Sequence, residues 1–471
     1  MSTMNERVKS SMHRFAAAAI AVLQRQSALT PIRFWQREVV EFSDDGTPVH
    51  RVVARPLWHE LVDNARPSLQ QLPETSELTA ELLQESSFIL PRMSNDPGQA
   101  VAPSSDDLRR HVWEKLVALL VRYLSRSQQI RFDDDTFSEI MDQCLAFWCA
   151  TEAEHSVHVP LIGVVGDPVT IDIEDQLRIC PLPAALKSEL WDGPARSSWG
   201  VDARELSACR FQVEGKYRSK PMESDNRVDL AADTVVLALR LLQPGTVVPM
   251  GSFHRSGPVE LGGSTGAGVQ GNWRPIPRER TPYALAAHVT GHVRSLYRQL
   301  GDGFREGRYV DLDVCRSRFE QAYLRDSPED KVIDLTIALE SALLPDVKDE
   351  LSYRIAVRGA ALLRRRRPAR ETYQLLRALY DARSKIVHSG KRLKAIARAG
   401  HVAGLPIPDF ISAAQDVVRQ TLMELFEALP QRRLKEVVNA LDEELIMRME
   451  ADGPTPNHGP EPGSTAEQKC P

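Results

Sequence analysis

Arg383 and His388 stand five residues apart in Leu379-Tyr380-Asp381-Ala382-Arg383-Ser384-Lys385-Ile386-Val387-His388-Ser389-Gly390, at the end of a segment with helical periodicity that Ser-Gly stops. These two residue types suit proton transfer and the stabilisation of developing negative charge, of which metal-independent cleavage of RNA is one case. The 2′-hydroxyl must lose a proton, the charge building on the phosphate oxygens must be stabilised, and the leaving 5′-oxygen must gain a proton. Histidine serves the proton steps because its ordinary pKa lies near working pH. Arginine serves the charge, since its rigid fork of donors matches phosphate oxygens. Stabilising developing charge is often the largest catalytic contribution. Five helical residues advance about 7.5 Å and rotate about 140°, so the pair does not stack on one face. One histidine also does not easily serve both sides of an in-line displacement. Two copies facing each other across a dimer meet both requirements. By spacing alone, the pair more often marks a surface arginine and a histidine in a last helical turn.

Other motifs carry less. Gly266-Ala267-Gly268-Val269-Gln270-Gly271 has the GxGxxG form, but a dinucleotide site needs that turn between a strand and a helix N-terminus. Its flanks, GGST and NWRPIP, offer neither, so the stretch reads as a flexible loop. His288 and His292 are i, i+4 on a predicted helix, without the glutamate of HExxH or a third ligand nearby. No GxSxG elbow, Walker A loop or CxxC pair occurs. No metal and no cofactor is expected.

The segment LYDARSKIVHSGK resembles the motif of HEPN domains, most closely the Apea-like HEPN family, whose Arg and His mark an RNA-cleaving site. The resemblance extends upstream: PEDKVIDLTIALESALLPD (328–346) is similar to that family's acidic helix, with Glu340 at its characteristic glutamate. ELSYRIAVRGAALL (350–363) is similar to the helix between them. Residues 310–430 carry the match, and the motifs stand in the family's order. Two positions depart from the pattern. Ser384 stands where many catalytic members place Asn, Asp or His, and Ser389 intervenes before Gly390. The resemblance implies a ribonuclease with Arg383 and His388 catalytic at a composite homodimeric site, supported by Glu340, Ser384 and Lys385. It further implies a prokaryotic toxin or anti-phage defence effector, activated by an unidentified trigger or held by an antitoxin. The alternative is a non-catalytic HEPN scaffold for dimerisation or for RNA or nucleotide binding.

Charge is distributed unevenly around this motif. Residues 351–400 hold fourteen Lys/Arg against Glu371 and Asp381, a net of +12; the whole chain is at −5, so the remainder carries −17. A basic surface that meets a polyanion is one reading of such asymmetry; pairing with acidic neighbours in the same fold is the other. Arg364, Arg365, Arg366 and Arg367, followed by Arg370 and Arg377, fit a surface that tracks an RNA backbone.

The elements that must position these residues are helical. From Thr281 onward the spacing predicts helices near 282–299, 311–325, 328–344, 349–364, 370–388, 409–428 and 431–450. Ser327 is placed to cap the third, with Pro328 at its first position and Glu329 and Asp330 at the positive end of its dipole. Residues 156–280 read as an α+β module with a hairpin over 169–180, a strand near 208–217 and a helix at 229–242. The stretch 244–280 reads as loop-rich and strand-poor. Residues 1–155 read as mainly helical with one hairpin, Ile32–Phe42 and Val49–Ala54, turning at Asp44-Asp45-Gly46. Residues 91–106 read as a loop, and Ser104 with Asp107 as an N-cap. The tail 451–471 holds five prolines and three glycines without an apolar pattern and is expected to be disordered.

The expected class is therefore α+β overall and mostly helical, with an all-α HEPN-like bundle at 281–450. Apolar residues at 42 % and charged residues at 26 % exclude collagen-like, coiled-coil-only and wholly disordered chains. The longest apolar run, Phe15–Leu23, is nine residues, about half a membrane-spanning helix. Gln24-Arg25-Gln26 follows it where a signal peptide would place small residues, and an amphipathic first helix accounts for the run. Six scattered cysteines give no disulfide framework, so a cytoplasmic protein with reduced thiols is expected.

Overall fold

The computed structural model describes residues 6–43, 47–85, 104–150, 152–192, 203–219, 226–256, 268–273, 276–286, 289–345, 347, 349–397 and 400–451. The chain divides into two compact units, Met1–Gln299 and Leu300–Pro471. The class is α+β and mostly helical. Among the described residues no helix is long and apolar enough to cross a membrane.

The first unit begins with α1 (Glu6–Leu29), the ribbon β1 (Phe34–Phe42) and β2 (Pro48–Pro56), and helices α2 (Trp58–Asn64), α3 (Arg66–Gln70), α4 (Pro73–Gln84), α5 (Ser105–Ser127) and α6 (Asp134–Trp148). Met12, Phe15, Ala19 and Leu23 recur at spacings of three and four and are all buried, which drives α1 into a shared helical core. The hairpin register runs from Phe34 opposite Pro56 to Phe42 opposite Pro48, with the expected turn residues 44–46 outside the described residues. Ser104 and Asp107 form a reciprocal capping box at the start of α5.

The rest of this unit is built on a seven-stranded antiparallel sheet. Its elements are β3 (Ala153–Ile162), β4 (Val164–Val165), β5 (Ile171–Glu174), β6 (Leu177–Pro181), α7 (Ala184–Asp192), α8 (Ala203–Ala208), β7 (Phe211–Ser219), α9 (Asn226–Leu242), β8 (Val248–Pro249), β9 (Gly251–Ser256), β10 (Gly268–Trp273), β11 (Tyr283–Ala284) and α10 (Thr290–Arg305), which continues into the second unit. The strand order is β10-β9-β3-β7-β6-β5, with β8 also on β3. Two expectations are corrected. The stretch 244–280 supplies three strands of this sheet rather than loop. Gly268–Gly271 of the GxGxxG run lies in β10, paired with β9 from Gly268↔Ser256 to Trp273↔Gly251. The helix expected from 282 begins at Thr290; Tyr283–Ala284 instead pairs in parallel with Val164–Val165. His288 lies outside the described residues, and His292 is exposed on α10.

The second unit is helical: α11 (Asp313–Ala322), α12 (Pro328–Leu343), α13 (Leu351–Leu362), α14 (Ala369–Ser389), the short α15 (Leu393–Ile396), a small ribbon β12 (His401–Val402) and β13 (Leu405–Pro406), α16 (Ile407–Ala428) and α17 (Leu434–Ala451). Ion pairs join its helices. Buried Asp334 on α12 accepts from Arg318 and Arg325, each at 2.9 Å. Buried Arg358 on α13 donates to both carboxylate oxygens of Asp442 on α17, at 2.9 and 2.6 Å, and to the Leu343 carbonyl ending α12, at 2.7 Å. Gly359 lets α13 approach α14, since a Cβ there would meet Leu376 Cδ1 at 2.4 Å. Of the tail expected to be disordered, 452–471 lies outside the described residues.

Candidate functional site

The helix that carries the Arg-His pair is fixed at its apolar face and at its end. Thr372, Leu375, Leu376, Leu379 and Ala382 bury one stripe of α14. Gly390 follows in the left-handed conformation, φ 60°. Its N–H bonds the Ile386 carbonyl at 3.0 Å and that of Lys391 reaches the Lys385 carbonyl at 3.4 Å, a left-handed ending that glycine accommodates best. Beyond it, the Leu393 N–H donates to Glu329 Oε1 at 2.7 Å, while the Ser327 hydroxyl donates to Glu329 Oε2 at 3.0 Å. Burial would raise the Glu329 carboxyl, but these hydrogen bonds and the charge of Arg392 hold it below its ordinary range. Ser327 caps α12 as the sequence predicts, its hydroxyl accepting from the Asp330 N–H at 3.3 Å. The start of α12 and the end of α14 are thereby tied together.

Within this frame Arg383 and Glu340 are brought close, and His388 is not. Arg383 is half-buried; its Nε is buried without a hydrogen-bond partner, and among the described residues no ion pair holds its guanidinium. Glu340, half-buried on α12, has its carboxyl pushed up by burial and pulled back by the charge of Arg383. Tyr380, one turn before Arg383, completes the cluster: its phenol is pushed up by burial first and by Glu340, against the opposing charge of Arg383. The three groups feel one another without a direct hydrogen bond between them. His388 is exposed in the last turn, about 140° around the helix from Arg383. Ser384 is half-buried and Lys385 exposed. Tyr380 has no role among the sequence expectations, although it lies inside the motif; only its position beside Glu340 marks it.

Of the arginines expected to track RNA, three are engaged in ion pairs within the fold. Arg364 pairs with Glu444 at 2.6 Å, Arg366 with Glu424 and, at 3.3 Å, with Glu427, and Arg367 with Asp416 at 2.7 Å. These three guanidiniums clamp the turn after α13 onto α16 and α17, because the acids lie on facing helices that no local pattern reveals. Arg365 and Arg370 are exposed with no partner among the described residues, and Arg377 is exposed, lying over the Tyr373 ring at 6.0 Å. On α14, Arg370, Arg377, Ser384 and His388 fall within about 40° of one line, a stripe about 27 Å long interrupted by the acid Asp381.

Among the described residues no group of three His, Cys, Asp or Glu side chains is placed to hold a metal ion. Comparison with protein-family models, curated proteins and solved structures finds no match to this chain.

Proposed function

We propose that this chain is a metal-independent endoribonuclease of the HEPN type, acting as a homodimer, whose biological setting is that of a toxin or anti-phage effector. The observation that carries the reading is Arg383: a cation half-buried beside Glu340, with no hydrogen-bond partner among the described residues, on the helix that ends in an exposed His388. An unpaired guanidinium in such a place is costly unless an anion completes it. Phosphate is the anion its donor geometry suits. In this reading Arg383 holds the charge developing on the scissile phosphate. One subunit's His388 takes the 2′-hydroxyl proton, and that of the second subunit returns a proton to the leaving oxygen. The products carry a cyclic phosphate or a 3′-phosphate. Glu340 and Tyr380 orient the guanidinium. Arg365, Arg370, Arg377 and Lys385 receive the flanking RNA backbone, while Arg364, Arg366 and Arg367 hold the fold.

The scaffold reading draws on two facts: Arg383 and His388 face different ways on α14, and Ser384 replaces the polar residue common after the arginine. Incubating purified protein with mixed cellular RNA in EDTA, wild type against His388→Ala, decides between them. Cleavage by wild type alone supports the enzyme. Cleavage that needs added divalent metal, or 3′-hydroxyl products, rejects this mechanism, and intact RNA in both leaves the scaffold.

A further inference from the structure

The first unit contains a second, independent chemical arrangement. A cleft of about 610 Å³ opens between the C-terminal end of α6, where Phe147 forms an apolar wall, and one face of the sheet. That volume lies within the range of small-ligand sites. Strand pairing sets the sheet face. Ser156 on β3 stands opposite Lys216 of β7 on one side and Arg255 of β9 on the other, and His158 stands opposite Glu214 and Phe253. Residues two apart on a strand share a face, so the face presented to the cleft is polar where a sheet interior is ordinarily apolar.

The polar groups form one directed chain. Arg178 donates to Glu214 at 2.6 Å, and the Cys180 thiol lies 3.5 Å from the same carboxylate. The Gln212 amide nitrogen points at Cys180 Sγ, 3.6 Å away, which leaves the Gln212 carbonyl oxygen facing His158 Nδ1 at 3.1 Å. A carbonyl accepts, so Nδ1 carries the proton and Nε2 is the acceptor. The Ser156 hydroxyl, 2.9 Å from Nε2, therefore donates to it, and Ser156 lines the cleft. Burial pushes His158 below its ordinary value, with Arg255 and Lys216 adding and the Gln212 hydrogen bond and Glu214 opposing. The ring is neutral at physiological pH, the form a general base needs.

We propose that Ser156 is the nucleophile of a hydrolase site for small carboxylic esters, with His158 as its general base and Gln212 as the positioning residue that fixes the imidazole tautomer. Ser156 Oγ bonds to the ester carbonyl carbon while its proton passes to His158 Nε2. The tetrahedral oxyanion forms between the Arg255 and Lys216 side chains, which flank Ser156 at cross-strand distance, about 5 Å between Cβ atoms, the Lys216 ammonium turning to it from Glu154, 3.7 Å away. Collapse breaks the bond to the alcohol oxygen, which takes the proton from Nε2 and departs. A water then adds to the acyl-serine carbonyl, giving its proton to His158, and Ser156 leaves with that proton as the acid is released.

The test is a fluorophosphonate probe applied to the full-length protein from mildly acidic to mildly alkaline pH, with the adduct mapped by peptide mass spectrometry. Labelling of Ser156 is expected, absent in Ser156→Ala and slowed about 100-fold or more in His158→Gln. In Gln212→Met the hydrogen bond that raises His158 is gone, so labelling slows and its acid limb moves to lower pH. Melting curves accompany each variant. Should Ser156→Ala melt early, the wild-type adduct decides alone. No labelling of wild type, an adduct on any other serine, or an unchanged rate in a folded His158→Gln overturns the site and leaves a purely structural polar network.

Discussion

At the turn that joins α13 to α14, three arginines end on carboxylates: Arg364 on Glu444, Arg366 on Glu424 and Glu427, Arg367 on Asp416. At the other end of α14, Arg383 lies half-buried with a bare Nε, near a carboxylate that it does not bond. The same residue type, in one basic stretch, is satisfied at one end of a helix and left open at the other. Local charge density does not distinguish the two ends; what distinguishes them is whether acids on facing helices come within bonding distance. The paired end secures α13, α16 and α17 to one another. The open end has an energetic deficit that, in the proposed reading, an incoming anion offsets, and a polar group left incomplete in a folded protein marks function better than a dense basic run does.

The largest effect tests the open end. Arg383→Ala and His388→Ala should each lower RNA cleavage by about 10²- to 10⁴-fold, with binding largely retained, since both groups act chiefly in the transition state. Single-turnover cleavage and filter binding measure the two quantities separately. Loss of affinity alone in Arg383→Ala would make it one more phosphate anchor and erase the contrast. Next comes the satisfied class at its most buried. Asp442→Ala strips the bidentate partner from buried Arg358 and should cost about 3 kcal/mol of stability, read by denaturant unfolding. A change within about 0.5 kcal/mol would show that the Leu343 carbonyl and water suffice.

A smaller effect separates arginines that meet RNA from arginines that hold helices. Replacing Arg370 and Arg377 together with Gln should flatten the salt dependence of RNA binding by about 0.7 in slope for each phosphate no longer neutralised, leaving the melting temperature unchanged. Arg366→Gln should do the reverse, lowering the melting temperature without altering the salt slope. If both variants change only the slope, the ion pairs to Glu424 and Glu427 yield to RNA and the division fails.

Much of the second unit is legible from sequence because its signals are local. Ser327, Pro328 and the acids after them announce α12, and Gly390 announces the end of α14. The destination of each arginine is not legible: Arg358 meets Asp442 across 84 residues and Arg366 meets Glu427 across 61. The sheet hides for a different reason. β3 runs AEHSVHVPLI, with histidines on both faces, a serine and a proline, so it lacks the apolar alternation by which a strand is found. β9 and β10 begin with glycine or contain it, and glycine in a pattern favours loop. The Arg-His motif is legible in the sequence and Tyr380 is not, because a tyrosine three residues before an arginine means nothing until Glu340 is seen beside both.

The smallest effect bears on how the open end is balanced. Burial raises the Glu340 carboxyl above its ordinary value in spite of Arg383 nearby, so the folded state holds the proton more tightly than the unfolded chain does. The sign follows from linkage: such a group contributes stability that is fully present below the ordinary carboxylate range and is lost as pH rises through the folded value. Once ionised, Glu340 is therefore a small liability. Glu340→Gln, which mimics the protonated acid, should melt slightly higher than wild type at neutral pH, by less than about 1 kcal/mol given its partial exposure. The difference should close as the pH falls to about 3, below the ordinary carboxylate range, where the wild-type carboxyl is protonated in both states. The same variant should cleave RNA more slowly, because the guanidinium loses the charge that orients it. Gaining stability while losing activity is the pattern of a residue kept for function. A Glu340→Gln protein less stable than wild type at neutral pH would mean that attraction to Arg383 outweighs burial. Arg383 would then belong with the satisfied arginines of the α13–α14 turn, and the contrast between the two ends of α14 would be one of degree.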